Sequence, residues 1–446
     1  MPSVVGRPPA VRTYSPRRNS TVRQISQRMF REIEACRICG NRDLVPILSL
    51  GEQYLTGVFP SVRDAALSRG PLELVVCNRV GHAKACGLVQ LRQTYDLKEM
   101  YGDNYGYRSS LNGAMVRHLE EKVRHLMDRY PLKPGDLVLD IGSNDGTLLS
   151  FYPQLGVNVV GIDPTAKKFA PFYANHISLI PDFFSAELFR KKFATERARI
   201  VTSIAMFYDL ENPLRFMKDV ASILHEEGVW HFEMSYLPAL VRTMGYDTIC
   251  HEHLEYYSLR QIKWMVDRCG LKIINVELNR TNGGSFAVTV ARQVSSHPEA
   301  IAQLKQLLRA EETQGLATTA QQRAFAKAVK THRKNLLLLL RRLKEQKQTV
   351  IGYGASTKGN VLLQHCGITA ELLPAIAEVN KDKFGCFTPG TNIPIIPEAE
   401  AHAMKPDYLF VLPWHFRDNL IQRESAFLRR GGKMIFPLPE IVIVGA

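Results

Sequence analysis

The run Val138-Leu139-Asp140-Ile141-Gly142-Ser143-Asn144-Asp145-Gly146 limits the fold more than any other stretch of this chain. It reads as an apolar strand ending in an acid and a glycine, then a tight turn, then a helix beginning near Thr147. Glycine there lets the backbone approach a ligand closely. Further apolar runs at Val157 to Ile162, Ile200 to Ala205 and Val229 to Phe232 alternate with helical patterns from about 105 to 295. That alternation predicts a doubly wound α/β sheet. Two later β-rich runs, Leu271 to Leu278 and Ser285 to Ala291, flank a Gly-Gly turn and read as an antiparallel pair closing its edge.

The loop also predicts a ligand. Asp163 ends the next strand, where a carboxylate accepts hydrogen bonds from ribose hydroxyls. Asp140, Gly142, Asn144, Asp145, Gly146 and Asp163 are therefore the candidate cofactor residues, with Phe184 as a flank for an adenine ring. Two carboxylates in the loop disfavour a dinucleotide pyrophosphate. They suit S-adenosylmethionine, which carries a sulfonium and an ammonium.

The segment Thr248-Ile-Cys-His-Glu-His-Leu-Glu-Tyr-Tyr-Ser258 packs two imidazoles, two carboxylates and two phenols into eleven residues. A histidine oriented by a neighbouring acid is the usual means of removing a proton near neutral pH, and His253 is the expected base. A metal site is the rival, but His251-x-His253 lacks the i, i+4 spacing that puts two ligands on one helix face.

Before this unit, residues 32–104 hold four of the eight cysteines. Cys36 and Cys39 form a Cys-x2-Cys knuckle, and Cys77 and Cys86 supply two more thiols. Four soft ligands from two loops match tetrahedral, structural Zn2+, with His82 as a competing ligand inside the second loop. Cys250, Cys269, Cys366 and Cys386 are expected to be single thiols.

After it, residues 296–347 read as two helices meeting near Gly315. From 348 to 446 the pattern returns to strand, Gly-rich turn and helix, with apolar runs at Leu373 to Ala377, Tyr408 to Leu412 and Lys433 to Pro437. Gly352-x-Gly354 follows the strand Thr349-Val350-Ile351, but Thr357 stands where a dinucleotide fingerprint needs its third glycine. Backbone amides at the helix start, helped by Lys358, suit the diphosphate of a nucleotide-sugar, and Glu378 ends the next strand at the ribose position.

Net charge is +14, which raises the question of a nucleic-acid partner. Residues 1–31 hold seven arginines and no acid, so half of the excess sits in a basic arm of disorder-prone composition. The rest suits an anionic small substrate, and no nucleic acid is expected. The longest apolar run, Leu336 to Leu340, is far too short to span a bilayer, so no membrane partner is expected either. The first residues lack a secretory apolar stretch, which points to the cytoplasm and reduced thiols.

Three motifs in order give the chain a likeness: Cys36-Arg-Ile-Cys-Gly40 with Cys86-Gly-Leu-Val-Gln-Leu91, the Asp140 to Gly146 loop with His251-Glu-His253, and Gly352-Tyr-Gly-Ala-Ser-Thr-Lys-Gly-Asn360 with Thr388-Pro-Gly-Thr391. From about Ala35 to the C-terminus it resembles the sugar C-methyltransferases that act on nucleotide-linked 4-ketosugars in deoxysugar biosynthesis. The resemblance implies an α/β protein of three parts. These are a small N-terminal zinc-binding domain (32–104), a central class I, Rossmann-like S-adenosylmethionine methyltransferase domain (105–295), and a C-terminal Rossmann-like nucleotide-sugar-binding domain (348–446) after a helical connector.

It further implies that His253 removes the proton α to the ketone, at C3, to give an enolate that takes the methyl group, with Glu252 beside the base. Tyr353, Ser356, Lys358, Asn360 and Glu378 would hold a nucleoside-diphosphate-linked ketosugar. A family tyrosine falls on Cys250 here, so Tyr256, Tyr257, Tyr105 or Tyr107 is expected to supply the phenol. The second cysteine pair departs too, with a longer Cys77 to Cys86 loop than the family's usual spacing. Two rival functions remain open at this point: a zinc-containing RNA methyltransferase and a non-catalytic nucleotide-sugar scaffold.

Overall fold

The computed structural model describes residues 30–96, 100, 107–154 and 156–445. The basic arm as far as residue 29, and Tyr105, lie outside the described residues.

The chain opens with β1 (Phe30–Glu32), β2 (Leu44–Tyr54), β3 (Arg69–Cys77), β4 (Val89–Leu91) and β5 (Gln93–Tyr95). β2, β3 and β4 run antiparallel, and β1 pairs separately with β5. Helix α1 (Gly113–Arg129) follows, capped by Asn112, whose side chain accepts from the amides of Ala114 and Met115. It buries Met115, Leu119, Val123 and Leu126, one stripe of an amphipathic helix.

The central sheet is built from β6 (Leu137–Ile141), β7 (Asn158–Ile162), β8 (Ile177–Ile180), β9 (Ala198–Ile204) and β10 (Leu224–Ser235). Helices α2 (Ala186–Phe193) and α3 (Pro213–Ile223) connect its later strands. Every residue of β6 is buried, as expected of a parallel strand covered on both faces. After β11 (Glu255–Tyr256) and α4 (Leu259–Val266), strands β12 (Leu271–Asn279) and β13 (Ser285–Arg292) close the edge, both antiparallel to their neighbours. The order β12-β13-β10-β9-β6-β7-β8 reverses direction between β6 and β9, which opens a crevice at their carboxyl ends.

One expectation is corrected here. The turn after Gly146 leads to no α-helix, only to turns and a single 3-10 turn at Leu149–Phe151. Asp145 Oδ1 holds the Thr147 amide and hydroxyl, at 3.3 and 2.6 Å, and Pro153 then ends any helical path.

β11 leaves the central unit altogether. It pairs antiparallel with β4, Glu255 opposite Gln90 and Tyr256 opposite Val89, so the N-terminal sheet reads β11-β4-β3-β2. The His-Glu-His segment therefore hangs from the cysteine-bearing module.

Helices α5 (Ile301–Gln314) and α6 (Thr319–Glu345) meet at Gly315, as the sequence predicts. Leu336, Leu340 and Leu343 of α6 enter the core shared by the N-terminal sheet and the last unit. That unit contains β14 (Val350–Tyr353), α7 (Thr357–Cys366), β15 (Ile376–Glu378), β16 (Ile395–Pro397), β17 (Tyr408–Val411), β18 (Lys433–Phe436) and β19 (Val442–Val444). Its sheet runs β16-β15-β14-β17-β18-β19, parallel except for the last strand. β15 begins at Ile376 rather than at Leu373, because Pro374 withholds a ladder donor. No helix among the described residues is long and apolar enough to cross a membrane.

Candidate active site

The four cysteines come together. Cys36 Sγ lies 3.5 Å from Cys86 Sγ, Cys39 Sγ lies 3.5 Å from Cys77 Sγ, and all four are within 4.8 Å of one another. A tetrahedron with Zn–S bonds of about 2.3 Å has edges of about 3.8 Å, so the donor set fits structural zinc. His82 is not a ligand, because its ring turns to Asp43 at 3.3 Å. Between the first two cysteines, Arg37 donates to Leu91 O at 2.6 Å and to Gln93 O at 3.0 Å, and reaches Glu255 at 3.6 Å. The knuckle is thus bolted to β4, β5 and β11.

At the crevice of the central sheet is a cavity of about 290 Å³. Asp140, Gly142, Asn144, Asp163 and Phe184 line it; Asp145 and Gly146 do not. Gly142 holds φ 79°, and a Cβ there would come within 2.9 Å of Met206. Asp140 Oδ1 accepts from Thr202 at 2.6 Å. Burial raises its carboxyl to about 7, with Thr202 opposing and the charge of Asp163 adding. Asp163 itself is occupied by the loop, accepting from Asn144 N at 2.8 Å and from Thr165 N at 2.6 Å. Asn144, in turn, accepts from Ser109 N at 3.0 Å and donates to Tyr107 O at 3.1 Å, tying the loop to the segment before α1. Asp145 does the same through Ser110 N at 3.1 Å.

The sequence reading missed the opposite wall, Met206, Asp209, Leu210 and Glu211. Their signal was position alone, just beyond the carboxyl end of β9 at the switch point. It also missed a buried cluster behind the cavity, where Glu233 accepts from His118, Lys122 and Asn279 at 2.7, 2.6 and 2.6 Å. Alternating polar positions in β10, His231 and Glu233, were the available clue.

The His-Glu-His segment stands behind that wall. Leu254 N donates to Tyr208 O at 2.8 Å, and the His253 ring meets the Tyr208 ring edge-on with centroids 4.4 Å apart. His253 Nδ1 lies 2.8 Å from Thr248 O. A carbonyl can only accept, so Nδ1 carries the proton and Nε2 presents a lone pair. Burial, abetted by the Lys358 ammonium and opposed by the Thr248 bond, lowers the ring to about 4. It is neutral at pH 7, yet keeps part of its surface accessible.

Glu252 sits at a three-way junction. A Cβ at Gly57 would stand 2.6 Å from Glu252 Oε1 and 3.9 Å from Thr357 Oγ1, so the N-terminal module, this segment and the start of α7 converge there. Burial pushes the carboxyl up, and the Cys250 thiol, at the position of the expected phenol, opposes that by hydrogen bonding to it. Of the candidate phenols, Tyr256 faces Cys250, Tyr257 is turned toward Cys36 and Cys86, and Tyr107 lines the cavity. His251 is built into the N-terminal sheet, with Nε2 3.2 Å from Gln53 O and its ring edge-on to Tyr95.

In the C-terminal unit several predicted side chains are already engaged. Tyr353 donates to Glu424 at 2.7 Å, Asn360 Nδ2 to Thr56 O at 2.8 Å, and Ser356 Oγ caps α7 through Gly359 N at 3.0 Å. Glu378 accepts from Ala355 N at 2.9 Å and from Asn380 N at 2.9 Å. Lys358 leaves the loop entirely and donates to Asn282 O at 2.9 Å.

Family profiles match along the length of the chain: a zinc binding domain over residues 36–101, a methyltransferase domain over 115–276 and a C-methyltransferase C-terminal domain over 280–439. C-methyltransferase NovU of Streptomyces niveus is 32% identical over 424 residues, covering 94% of this chain and 99% of its own. Solved structures match less of it. The CcbJ methyltransferase of Streptomyces caelestis is 13% identical with a TM-score of 0.32, over 39% of this chain and 89% of its own. An S-adenosylmethionine-dependent methyltransferase of Clostridium acetobutylicum gives 13% and 0.32, over 40% and 92%. At scores this low neither speaks to the substrate.

Proposed function

This chain belongs to the C-methyltransferases, S-adenosylmethionine-dependent enzymes, and from that premise we propose that it methylates the carbon α to the ketone, at C3, of a nucleoside-diphosphate-linked 4-keto-deoxysugar. On this reading residues 32–104 form the zinc module, 105–295 the cofactor domain and 348–446 the nucleotide-sugar domain, joined by the helices of 296–347. When bound, S-adenosylmethionine supplies an electrophilic methyl group. Asp140, Gly142, Asn144, Asp163 and Phe184 are the residues of this chain that would hold it, since they wall one cavity at the switch point.

His253 is the proposed base. The observation that carries the reading is its Nδ1–H bond to Thr248 O, which leaves Nε2 free to take a proton from carbon. Burial keeps that nitrogen unprotonated at physiological pH, and a carbon acid beside a carbonyl is within reach of such a base. Glu252, at the junction with Gly57 and Thr357 and with Oε2 buried without a hydrogen-bond partner, is the proposed acid beside the base.

A panel of dTDP-, GDP-, UDP- and CDP-linked 4-ketosugars, offered with methyl-labelled cofactor, tests the substrate class by mass shift. His253→Ala should lower methyl transfer on the active member by roughly 10²–10⁴-fold. Full transfer by that variant would reject His253 as base. Turnover on no member would reject the ketosugar.

A further inference from the structure

Lys358 occupies a setting that lysine rarely holds. It belongs to the first turn of α7, yet its side chain crosses to the 3-10 turn at Thr281–Gly283 and donates to Asn282 O at 2.9 Å. An ammonium has three donors, and among the described residues no carboxylate lies within ion-pair reach of this one. Asp247 is the acid whose charge it senses; Asp247 Oδ2 is taken by Trp414 Nε1 at 2.7 Å, and Oδ1 is buried without a hydrogen-bond partner. A half-buried lysine without a paired anion is uncommon.

What surrounds the ammonium gives it a purpose. His253 approaches from the central unit, and His415 approaches from the turn after β17. Both rings sense the charge of Lys358, and His415 Nδ1 is buried without a hydrogen-bond partner. Asp247 and Cys250 act on the ammonium electrostatically as well. The Asn282 carbonyl that fixes the ammonium comes from a turn with a left-handed φ of 55°, packed through Gly283 against Trp414. Two spare donors therefore remain on a side chain whose helix start stands beside the His-Glu-His segment, since a Cβ at Gly57 would lie 2.6 Å from Glu252 Oε1 and 3.9 Å from Thr357 Oγ1.

We propose that Lys358 is the electrophile of the reaction and donates to the ketone oxygen of the substrate. As the C–H bond breaks, its proton passes to His253 Nε2, its electron pair forms the enolate double bond, and the carbonyl pair moves onto the oxygen that Lys358 faces. A fixed cation aimed at developing negative charge is worth most where water is excluded. The inference rests on the ketosugar reading above and departs from the expectation that Lys358 binds the diphosphate.

Two measurements on the full-length protein test it. Without ligand, NMR titration of the His253 ring, assigned by loss of its signal in His253→Asn, should shift upward in Lys358→Gln. An unchanged titration would show that the ammonium does not face the imidazole, and overturn the proposal. With dTDP-4-keto-6-deoxyglucose as probe, in deuterium oxide and without methyl donor, wild type should incorporate deuterium α to the ketone. Lys358→Gln should lose that exchange by roughly 10²–10³-fold while dTDP affinity stays within about threefold. Retained exchange with dTDP affinity lowered more than about tenfold would make Lys358 a diphosphate ligand instead. Exchange surviving in His253→Ala, or absent from wild type on this probe and its GDP, UDP and CDP counterparts, sinks the base or ketosugar reading. The ligand-free titration still judges Lys358.

Discussion

Gly142 and Gly354 each follow a parallel strand, and their backbones are nearly the same, with φ of 79° and 80°. Their surroundings differ. A Cβ at Gly142 would press on the flexible side chain of Met206, which borders the cavity, whereas one at Gly354 would stand 2.8 Å from the ring of Pro413. The loop after β6 leads into turns and a 3-10 turn and lines the cavity. The loop after β14 runs straight into α7; its Ala355 N meets Glu378 just as Asn144 N meets Asp163 in the first loop, but here Tyr353 is also taken up by Glu424 and Pro413 closes over Gly354. One strand-and-turn plan therefore yields a vessel in one place and a joint in the other.

Breaking each glycine should separate the two. Gly354→Ala combines a left-handed alanine with a collision against proline, and should cost about 3 kcal/mol of stability in denaturant unfolding. Its affinity for S-adenosylmethionine by calorimetry should stay within about twofold of wild type. Gly142→Ala should cost less stability, about 1–2 kcal/mol, but weaken the cofactor more than about tenfold by pushing Met206 into its space. Equal losses of cofactor affinity in the two variants would erase the distinction.

The open loop should also respond to pH. Asp140 is raised to about 7, so as pH climbs through neutrality it gains the charge that, on the proposed reading, attracts the sulfonium and ammonium of the cofactor. Affinity is expected to rise between pH 6 and 8 in wild type and to stay flat in Asp140→Asn; a flat wild-type profile would remove Asp140 from the cofactor's contacts. The proposed base gives a second signature. Protonated His253 cannot accept a proton, so the acid limb of kcat/KM should fall near its lowered value of about 4 rather than near 6.5.

The smallest effect sharpens the joint. Tyr353→Phe removes one hydrogen bond while Glu424 keeps His402 at 3.2 Å, for a loss of about 1 kcal/mol. The KM of the sugar should not move. A KM raised more than about tenfold would return Tyr353 to the substrate.

How much of this was legible depends on range. Strands such as β6 and β17 announce themselves through continuous apolar runs, and the metal knuckle through Cys36-x2-Cys39. The missing helix after Gly146 was masked because Thr147 to Phe151 reads as helix until Asp145 and Pro153 are weighed together. β11 could not be read at all, since a two-residue strand has no period and its partner lies more than 160 positions away. In the second loop, motif position named Tyr353 and Lys358 but not where they point. Strand parity sends one toward Glu424, and the approach of the Asn282 turn draws the other across the domain boundary.

The pairing of β11 with β4 makes the enzyme indivisible. Cutting the chain after the cysteine module would strip Glu255 and Tyr256 of their ladder, and with it the anchor of the histidine three residues from Tyr256. A fragment cut to the central sheet would keep the proposed cofactor vessel and lose the support of the proposed base, so any shortened biocatalyst made from this scaffold should carry the cysteine cluster along as a mechanical part.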